Sequence, residues 1–293
     1  MTVQTPSTPL PTDLPTPKVV DRETWLAQVD ELRVREKAHT REGDAIAAAR
    51  RRLPMVEVDA TLTVTGPDGP VTLLDVFEGR RQLYVYFHMW HDGQPAEGQC
   101  EGCTFFNGQV RELSYLHSRD VTYATVCEGP FDATNRYREF MGWDVPWYSK
   151  GEGGDVLVDG RGFGLQVCYL RDGDRVFETY WTTGRGAEAM APSYPLLDET
   201  VYGRQEAWED SPAAGRSGSG PMATSSAQQV GRARSGRGWR PAGPTTSAPR
   251  RRAEATVPGC QPPRQVWDQP PAGTAAHRGR RTASTVGAPS RGS

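Results

Sequence analysis

The chain has 293 residues and a formal net charge of −2, but this near-balance conceals two segments of opposite charge. Residues 212–293 contain thirteen arginines, no lysine and two acidic residues, a charge of +11 that leaves −13 for residues 1–211. No apolar run approaches the ~18 residues that a membrane-spanning helix needs, and residues 1–17 lack the basic and apolar regions of a signal peptide. These features exclude a protein held in a membrane by helices, and we expect a cytoplasmic location.

Both ends of the chain have the composition of disordered segments. Residues 1–17 are rich in Pro and Thr, and the basic tail of residues 212–293 is rich in Arg, Pro, Gly, Ser and Ala. Neither contains enough large apolar side chains to offset chain entropy. The tail has three interpretations: an arm for nucleic acid or a membrane surface, an inert linker, or a frameshift product of GC-rich DNA. Its abrupt start and its scarcity of aromatic residues favour the last two.

Residues 18–54 are predicted to form a helical arm. Asp21 is a suitable N-cap, and Pro54 ends the pattern. The apolar positions form only a narrow stripe, so we expect the helix to pack along one face and to serve as a docking arm or a homodimer contact.

Residues 55–211 are predicted to form one α/β domain. A hairpin at 56–73 is followed by a helical turn to about 77 and a buried strand at 82–90. A helix from the cysteines to about 116, a strand at 121–127, a helix at 131–141 and a hairpin at 165–181 complete the pattern. A βαβ unit followed by an antiparallel hairpin predicts a mixed β-sheet flanked by helices.

Two cysteines follow the first buried strand of this domain. Cys100 and Cys103 form a CxxC motif where a loop meets a helix, and helix N-termini stabilise thiolates. This layout predicts a reactive dithiol in which Cys100 attacks and Cys103 resolves the mixed disulfide. Glu101, which lies between the cysteines, should raise the thiol pKa and partly oppose the helix terminus.

A metal site is the weaker alternative for the same motif. His88 and His91 precede the cysteines, and two His with two Cys are a tetrahedral zinc set. Strand alternation would point the two imidazoles in opposite directions, so a core position is the simpler expectation for His88. We therefore predict no metal or other cofactor.

Several blocks of the sequence resemble the DUF899 family of predicted dithiol–disulfide oxidoreductases, within the thioredoxin-like superfamily. The resemblance covers about residues 17–211. It is carried by Pro17-Lys18-Val19-Val20, Arg51-Arg52-Leu53-Pro54-Met55-Val56, Tyr84-Val85-Tyr86-Phe87-His88-Met89, Cys100-Glu101-Gly102-Cys103-Thr104-Phe105-Phe106, Gly142-Trp143-Asp144-Val145-Pro146-Trp147-Tyr148-Ser149 and Thr182-Thr183-Gly184-Arg185-Gly186. It implies a thioredoxin-like fold and thiol–disulfide exchange at Cys100 and Cys103, with Glu101, Gly102 and Thr104 shaping the site.

Four residues outside the motif are secondary candidates for the site. Pro146 is either the cis-proline that faces the dithiol in thioredoxin-like proteins or an ordinary proline at a strand entry. Trp147 could line a substrate groove, and Arg185 could hold an anionic group or lie in solvent. Cys127 ends a buried strand and is expected to be a core residue more than a reactive thiol.

The sequence thus predicts a thiol–disulfide oxidoreductase, with a disulfide-containing protein or small-thiol substrate and an external reductant as partners. A peroxiredoxin-like peroxidase is the first alternative, but the Thr or Ser three residues before a peroxidatic cysteine is absent, since Glu97 and Cys100 occupy those positions. A non-enzymatic metal-binding or scaffold protein is the second.

Overall fold

The computed structural model describes residues 16–204, so residues 1–15 and the predicted basic tail lie outside the described residues. The strands are β1 Val56–Val58, β2 Thr63–Gly66, β3 Gly69–Thr72, β4 Gln82–His88, β5 Val121–Cys127, β6 Trp147–Ser149, β7 Leu165–Asp172 and β8 Arg175–Thr183. The α-helices are α1 Arg22–Arg50, α2 Leu73–Val76, α3 Glu101–Gln109, α4 Ser114–His117, α5 Phe131–Met141, α6 Gly154–Val158 and α7 Ser193–Asp198, and 3₁₀ segments occupy Ala96–Gly98 and Gly184–Met190.

All eight described strands form one mixed sheet in the order β1-β8-β7-β4-β5-β6-β2-β3. Strands β4, β5 and β6 are parallel, and every other pairing in the sheet is antiparallel. The centre is therefore a β4-α3-β5 unit, and β7 and β8 continue the sheet beside β4. This topology, with the CxxC motif at the start of α3, is the thioredoxin-like fold predicted from the sequence.

Alternation along β4 divides the core into two layers. Leu83, Val85 and Phe87 point to one face, where they pack with side chains from the β2–β3 hairpin, α2 and α6. Tyr86 points to the opposite face, into an aromatic cluster beneath α3 and α5 that includes Tyr137, Trp143 and Trp147. Because both faces are covered, β4 consists almost entirely of buried residues, and the site at its carboxyl end is held by a rigid strand.

The predicted N-terminal helix is present, and its cap is the predicted one. The Asp21 carboxylate accepts a hydrogen bond from the Thr24 backbone N–H at 2.8 Å. None of the 29 residues in α1 is buried, however, so the expectation that one face packs is wrong. The apolar stripe is too narrow to cover a core face and stays half-exposed. No helix within residues 16–204 has the length and apolar character needed to cross a bilayer.

Two element predictions are corrected. The helix that follows the cysteines does not run to about residue 116: α3 ends at Gln109, Val110 is extended, and α4 begins at Ser114. Asn107 and Gly108 are poor helix formers, which accounts for the break. The first predicted hairpin is confirmed only for β2 and β3, because β1 pairs instead with β8. The later helix at Phe131–Met141 and the hairpin of β7 and β8 are confirmed.

A matched pair of Gly→Ala substitutions tests the helix assignments. Gly142 ends α5 with φ = 65°, a left-handed conformation, so Gly142→Ala should lower the free energy of unfolding by about 1 kcal/mol. Gly43 lies within exposed α1 with open space at the Cβ position, so Gly43→Ala should raise it by up to ~1 kcal/mol. Urea unfolding measures both changes. Equal effects at the two positions would contradict the assignment.

Candidate functional site

The two cysteines of the motif occupy unequal positions at the start of α3. Cys100 is the N-cap residue and is half-buried, whereas Cys103 lies in the first turn and is only 2% exposed. The carbonyl of Cys100 accepts the first intrahelical hydrogen bond from the Thr104 backbone N–H, at 3.0 Å. Both cysteines are free thiols in this structure. Cys100 is therefore the cysteine of the pair that a substrate can reach, and Cys103 is buried behind it in the first turn of α3.

The environment of Cys100 favours its thiolate. The pKa of Cys100 is lowered from 9.0 to about 6, chiefly because the Cys103 thiol donates a hydrogen bond to the Cys100 sulfur. The backbone N–H groups of Gly102 and Cys103 and the positive form of His91 act in the same direction, and partial burial opposes them. Glu101, which was expected to raise this pKa, is not among the main groups that shift it; the Cys103 thiol and the backbone N–H groups at the start of α3 lower it.

Cys103 is held as the protonated partner. Its pKa is raised well above the ordinary value because its thiol donates to the Cys100 sulfur and because it is buried. Two groups act in the other direction: the Met89 backbone N–H, whose nitrogen lies 3.3 Å from the Cys103 sulfur, and the Tyr86 hydroxyl. Burial raises the pKa of Tyr86 well above its ordinary value, so this hydroxyl remains a donor.

Gln99 holds the loop that leads into the site. Its buried side-chain amide accepts a hydrogen bond from the His91 backbone N–H at 3.0 Å and donates to the carbonyls of His91 and Gln94. The His91 Nδ1 lies 2.8 Å from the Gly98 carbonyl oxygen. These bonds close the loop on itself and keep His91 near Cys100. Sequence reasoning missed Gln99, because a polar residue before a CxxC motif carries no sign of its burial.

Met89 lies beside the nucleophile. Its thioether sulfur lies 3.7 Å from the Cys100 sulfur, while its backbone N–H serves Cys103. On its other side, a Cβ at Gly164 would lie 3.3 Å from the Met89 sulfur, so this glycine leaves room for the thioether. Met89 therefore contacts both cysteines, and a strand-end methionine gives no sequence signal of such a role.

Thr104 ties the start of α3 to α5. Its hydroxyl donates to the Cys100 carbonyl at 2.8 Å and lies 2.8 Å from the Tyr137 hydroxyl. Its place beside the motif is thus structural support for the N-cap residue. Gly102, in the first turn, has open space at its Cβ position and contributes its backbone N–H.

His88 is a core residue of the aromatic cluster. It is fully buried, with Tyr137, Trp143 and Trp147 around its ring, and its Nδ1 lies 2.7 Å from the Met89 carbonyl oxygen. Because a carbonyl only accepts, the ring is protonated at Nδ1. Burial lowers the pKa of His88 to about 4, so the imidazole is neutral. Within residues 16–204 there is no group of three or more His, Cys, Asp and Glu residues placed to hold a metal ion.

The secondary candidates are spread over different parts of the fold. Every described peptide bond is trans, so Pro146 is the ordinary proline at the entry of β6. Trp147 is buried, and its indole N–H donates to Thr134 at 3.2 Å, so it lines the core and not an open groove. Cys127 is fully buried, and burial raises its pKa to about 12. Arg185 is exposed and pairs with Glu188 at 2.8 Å.

The fold and the site together define a thioredoxin-like protein with a CxxC dithiol at a helix N-terminus. The family model described as "Bacterial protein of unknown function (DUF899)" matches residues 14–226, well over half of the chain, and the chain belongs to this family. No curated protein matches the chain.

Solved structures of low similarity include two redox proteins. The bacterioferritin comigratory protein of Xanthomonas campestris is 15% identical, with a TM-score of 0.33 over 47% of this chain and 93% of that one. A secreted disulfide oxidoreductase of Mycobacterium tuberculosis is 13% identical, with a TM-score of 0.32 over 46% of this chain and 96% of that one.

The asymmetry of the thiols predicts the pH dependence of alkylation. Cys260, the one cysteine of residues 212–293, is first replaced by serine so that it does not react. In this Cys260→Ser background, the rate of Cys100 alkylation by iodoacetamide should rise with a midpoint near pH 6. Cys103→Ala removes the main hydrogen-bond donor and should move the midpoint upward by at least one pH unit. Cys127 and Cys168 should not contribute, because burial raises their pKa values to about 12 and about 11. A wild-type midpoint near pH 9 would refute this account of the site.

The neutral state of His88 predicts a loss of stability in acid. The pKa of His88 is near 4 in the folded protein and near 6.5 in the unfolded chain. The neutral imidazole therefore contributes its full share to the free energy of unfolding above pH 6.5, and this contribution is lost as the pH falls toward 4. The loss should approach ~3 kcal/mol. His88→Asn retains a donor toward the Met89 carbonyl without titrating, so urea unfolding of this variant should lack that pH dependence. The exposed His39→Asn should behave as wild type; the same slope in all three proteins would exclude His88 as the cause.

Proposed function

We propose that this protein is a thiol–disulfide oxidoreductase, with Cys100 as the nucleophile and Cys103 as the resolving thiol. The observation that carries the proposal is the position of Cys100: half-buried, at the N-cap of α3, with its pKa lowered to about 6 by the Cys103 thiol and two backbone N–H groups. A thiol in this setting is largely ionised at neutral pH and accessible to a substrate.

The reaction proceeds by two exchange steps. The Cys100 thiolate attacks one sulfur of a substrate disulfide, forms a mixed disulfide and releases the first substrate thiolate, which takes a proton from solvent. Cys103 then loses its proton and attacks the Cys100 sulfur, which forms the Cys100–Cys103 disulfide and releases the second substrate thiol. Two electrons pass from the protein to the substrate, and an external thiol reductant returns them.

The second step is assisted by the groups that face Cys103. Once Cys100 is in a mixed disulfide, its negative charge is gone, and Cys103 no longer shares its proton with a neighbouring thiolate. The Met89 backbone N–H and the Tyr86 hydroxyl then remain as donors to the Cys103 sulfur. Both favour the Cys103 thiolate that the attack requires.

The alternatives lack an observation in their favour. The Thr104 hydroxyl, the nearest in sequence to the motif, is already engaged by the Cys100 carbonyl and Tyr137, so it does not face a peroxide at the thiolate. For the metal-binding alternative, the ring Nδ1 atoms of His88 and His91 are each directed at a backbone carbonyl. Peroxidase and metal-binding functions are therefore not proposed.

The cellular setting completes the proposal. The substrate is a disulfide-bearing protein or small molecule, and the protein works in the cytoplasm without a cofactor. The helical arm is proposed to form a homodimer contact. This is supported by four apolar side chains of α1 that remain half-exposed and that a second copy of the helix could cover: Trp25, Leu26, Leu32 and Ile46. The boundaries at residues 17, 54 and 211 remain predictions.

Substitution of each cysteine separates their roles. Cys103→Ser should attack a disulfide substrate and stop at the mixed disulfide, because the resolving thiol is missing, and mass spectrometry should find the adduct on Cys100. Cys100→Ser should form no adduct and should lose at least 10³-fold in turnover, since the nucleophile is absent.

Tyr86→Phe is the intermediate case. It should still form the mixed disulfide at the wild-type rate but resolve it about three- to tenfold more slowly, because a donor worth about 1 kcal/mol is lost. Cys168→Ser, at a position remote in sequence from the motif, is the control and should turn over as wild type. An adduct on Cys103 in the Cys100→Ser protein at the wild-type rate would reverse the assignment.

A further inference from the structure

A cleft of about 460 Å³ opens at the carboxyl edge of the parallel strands. Its walls come from the end of β6 and from the segments that follow β4, β5 and β6, and they include Trp90, Asp92, Glu128, Phe131, Ser149 and Lys150. In open α/β sheets this edge is where ligands bind. The exchange chemistry proposed above uses none of these side chains, so the cleft is available for the part of a substrate that does not react.

The cleft and the dithiol share the loop that follows β4. Trp90 lines the cleft and also packs in the aromatic cluster that contains Cys103. The next residue, His91, acts on the Cys100 thiolate, and Asp92 lies in the cleft wall. The hydrogen bonds between the Gln99 side chain and the His91 backbone hold this loop against the residues that directly precede Cys100. A ligand seated in the cleft is therefore held next to the loop that borders the reacting sulfur.

The unpaired charge of the cleft is negative. Among residues 16–204, neither Asp92 nor Glu128 has an ion-pair partner, and Glu128 accepts only a 3.3 Å hydrogen bond from the Trp90 backbone N–H. The one cationic side chain in the wall, Lys150, is neutralised by Asp155, with a Nζ–Oδ1 distance of 3.1 Å. Trp90 and Phe131 also line the cleft.

Trp90, which lines the cleft, also carries a buried hydrogen-bond donor without an acceptor. Trp90 is 9% exposed, and its indole N–H has no hydrogen-bond partner among the described residues. A Cβ on Gly129 would overlap the indole, with Nε1 at 2.7 Å, so only glycine allows the ring to lie against this segment of the wall. A buried donor of this kind is stabilised by a carbonyl acceptor, which peptides carry and simple amines lack.

We propose that this cleft binds a lysine or arginine side chain of a peptide disulfide substrate. The carboxylates of Asp92 and Glu128 bind the cation, and the Trp90 indole N–H donates to a peptide carbonyl. The inference rests on the proposed function and deepens it, since it names cationic polypeptides as the substrate class.

The test compares the disulfide dimers of three peptides, acetyl-X-Cys-X-amide with X as Lys, Gln or Glu. The full-length wild-type protein should reduce the Lys dimer with the highest kcat/KM and the Glu dimer with the lowest. Glu128→Gln and Asp92→Asn should each lower kcat/KM for the Lys dimer by about two- to fivefold and leave the Gln dimer unchanged. The Lys advantage, meaning the ratio of kcat/KM for the Lys dimer to that for the Gln dimer, should be smaller in 0.5 M salt. Cystamine, which carries ammonium groups but no peptide carbonyl, should show a smaller advantage than the Lys dimer.

The matched control is Asp144→Asn, an exposed carboxylate outside the cleft, which should leave all three rates unchanged. Equal rates for the three dimers, or a full Lys advantage in Glu128→Gln, would overturn the cleft assignment while leaving the exchange activity intact. Equal advantages for cystamine and the Lys dimer would overturn the role of the indole N–H.

Failure of the wild-type protein to reduce any dimer would instead overturn the proposed function. In that case, binding of the non-reacting peptide acetyl-Lys-Ser-Lys-amide tests whether the cleft binds cationic side chains. The Trp90 indole resonance, assigned with Trp90→Phe, should shift on titration in the wild-type protein and not in Glu128→Gln. No shift in either protein would overturn the cleft assignment as well.

Discussion

The pairing of the Cys100 and Cys103 thiols at the start of α3 is the interaction on which the candidate site depends. It makes two chemically identical side chains unequal: one sulfur becomes a thiolate near neutral pH and the other keeps its proton. The other groups of the site act on this difference between the two thiol pKa values. The N-terminus of α3 directs backbone N–H groups at Cys100, and the buried carboxyl end of β4 places Met89 and Tyr86 beside Cys103. The order of attack follows from exposure, because only Cys100 is accessible to a substrate.

The position of the motif within the sheet explains why this geometry is stable. Strand β4 is central, parallel to β5 and antiparallel to β7, and its side chains are buried on both faces. A loop that begins on such a strand has a fixed origin, and Gln99 closes the loop with hydrogen bonds to His91 and Gln94. The nucleophile therefore stands on an ordered segment although it lies outside regular secondary structure.

Local patterns in the sequence were sufficient to predict the central elements. The apolar run of β4, the CxxC motif at the start of a helix and the hairpin of β7 and β8 each depend on neighbours in the chain, and each is present. The pairing of β1 with β8 joins residues about 120 positions apart, which no local pattern specifies. Local patterns also do not reveal the roles of Gln99, Met89 and Tyr86, because these roles arise from burial and from contacts made by the folded chain. Pro146 is a candidate by analogy with thioredoxin-like proteins and Trp147 as an aromatic residue near it, but tertiary structure places them at the entry of β6 and in the core.

The most direct test of the central claim is a redox titration of the full-length protein in glutathione buffers, with differential alkylation of the thiols and mass spectrometry. We expect a reversible Cys100–Cys103 disulfide with a potential between about −120 and −270 mV, the range of known dithiol oxidoreductases. Cys127 and Cys168 should remain reduced throughout, because both are buried thiols with raised pKa values. If Cys100 and Cys103 formed only glutathione adducts and no bond to each other, the pair would not be a working dithiol and the proposed function would be wrong.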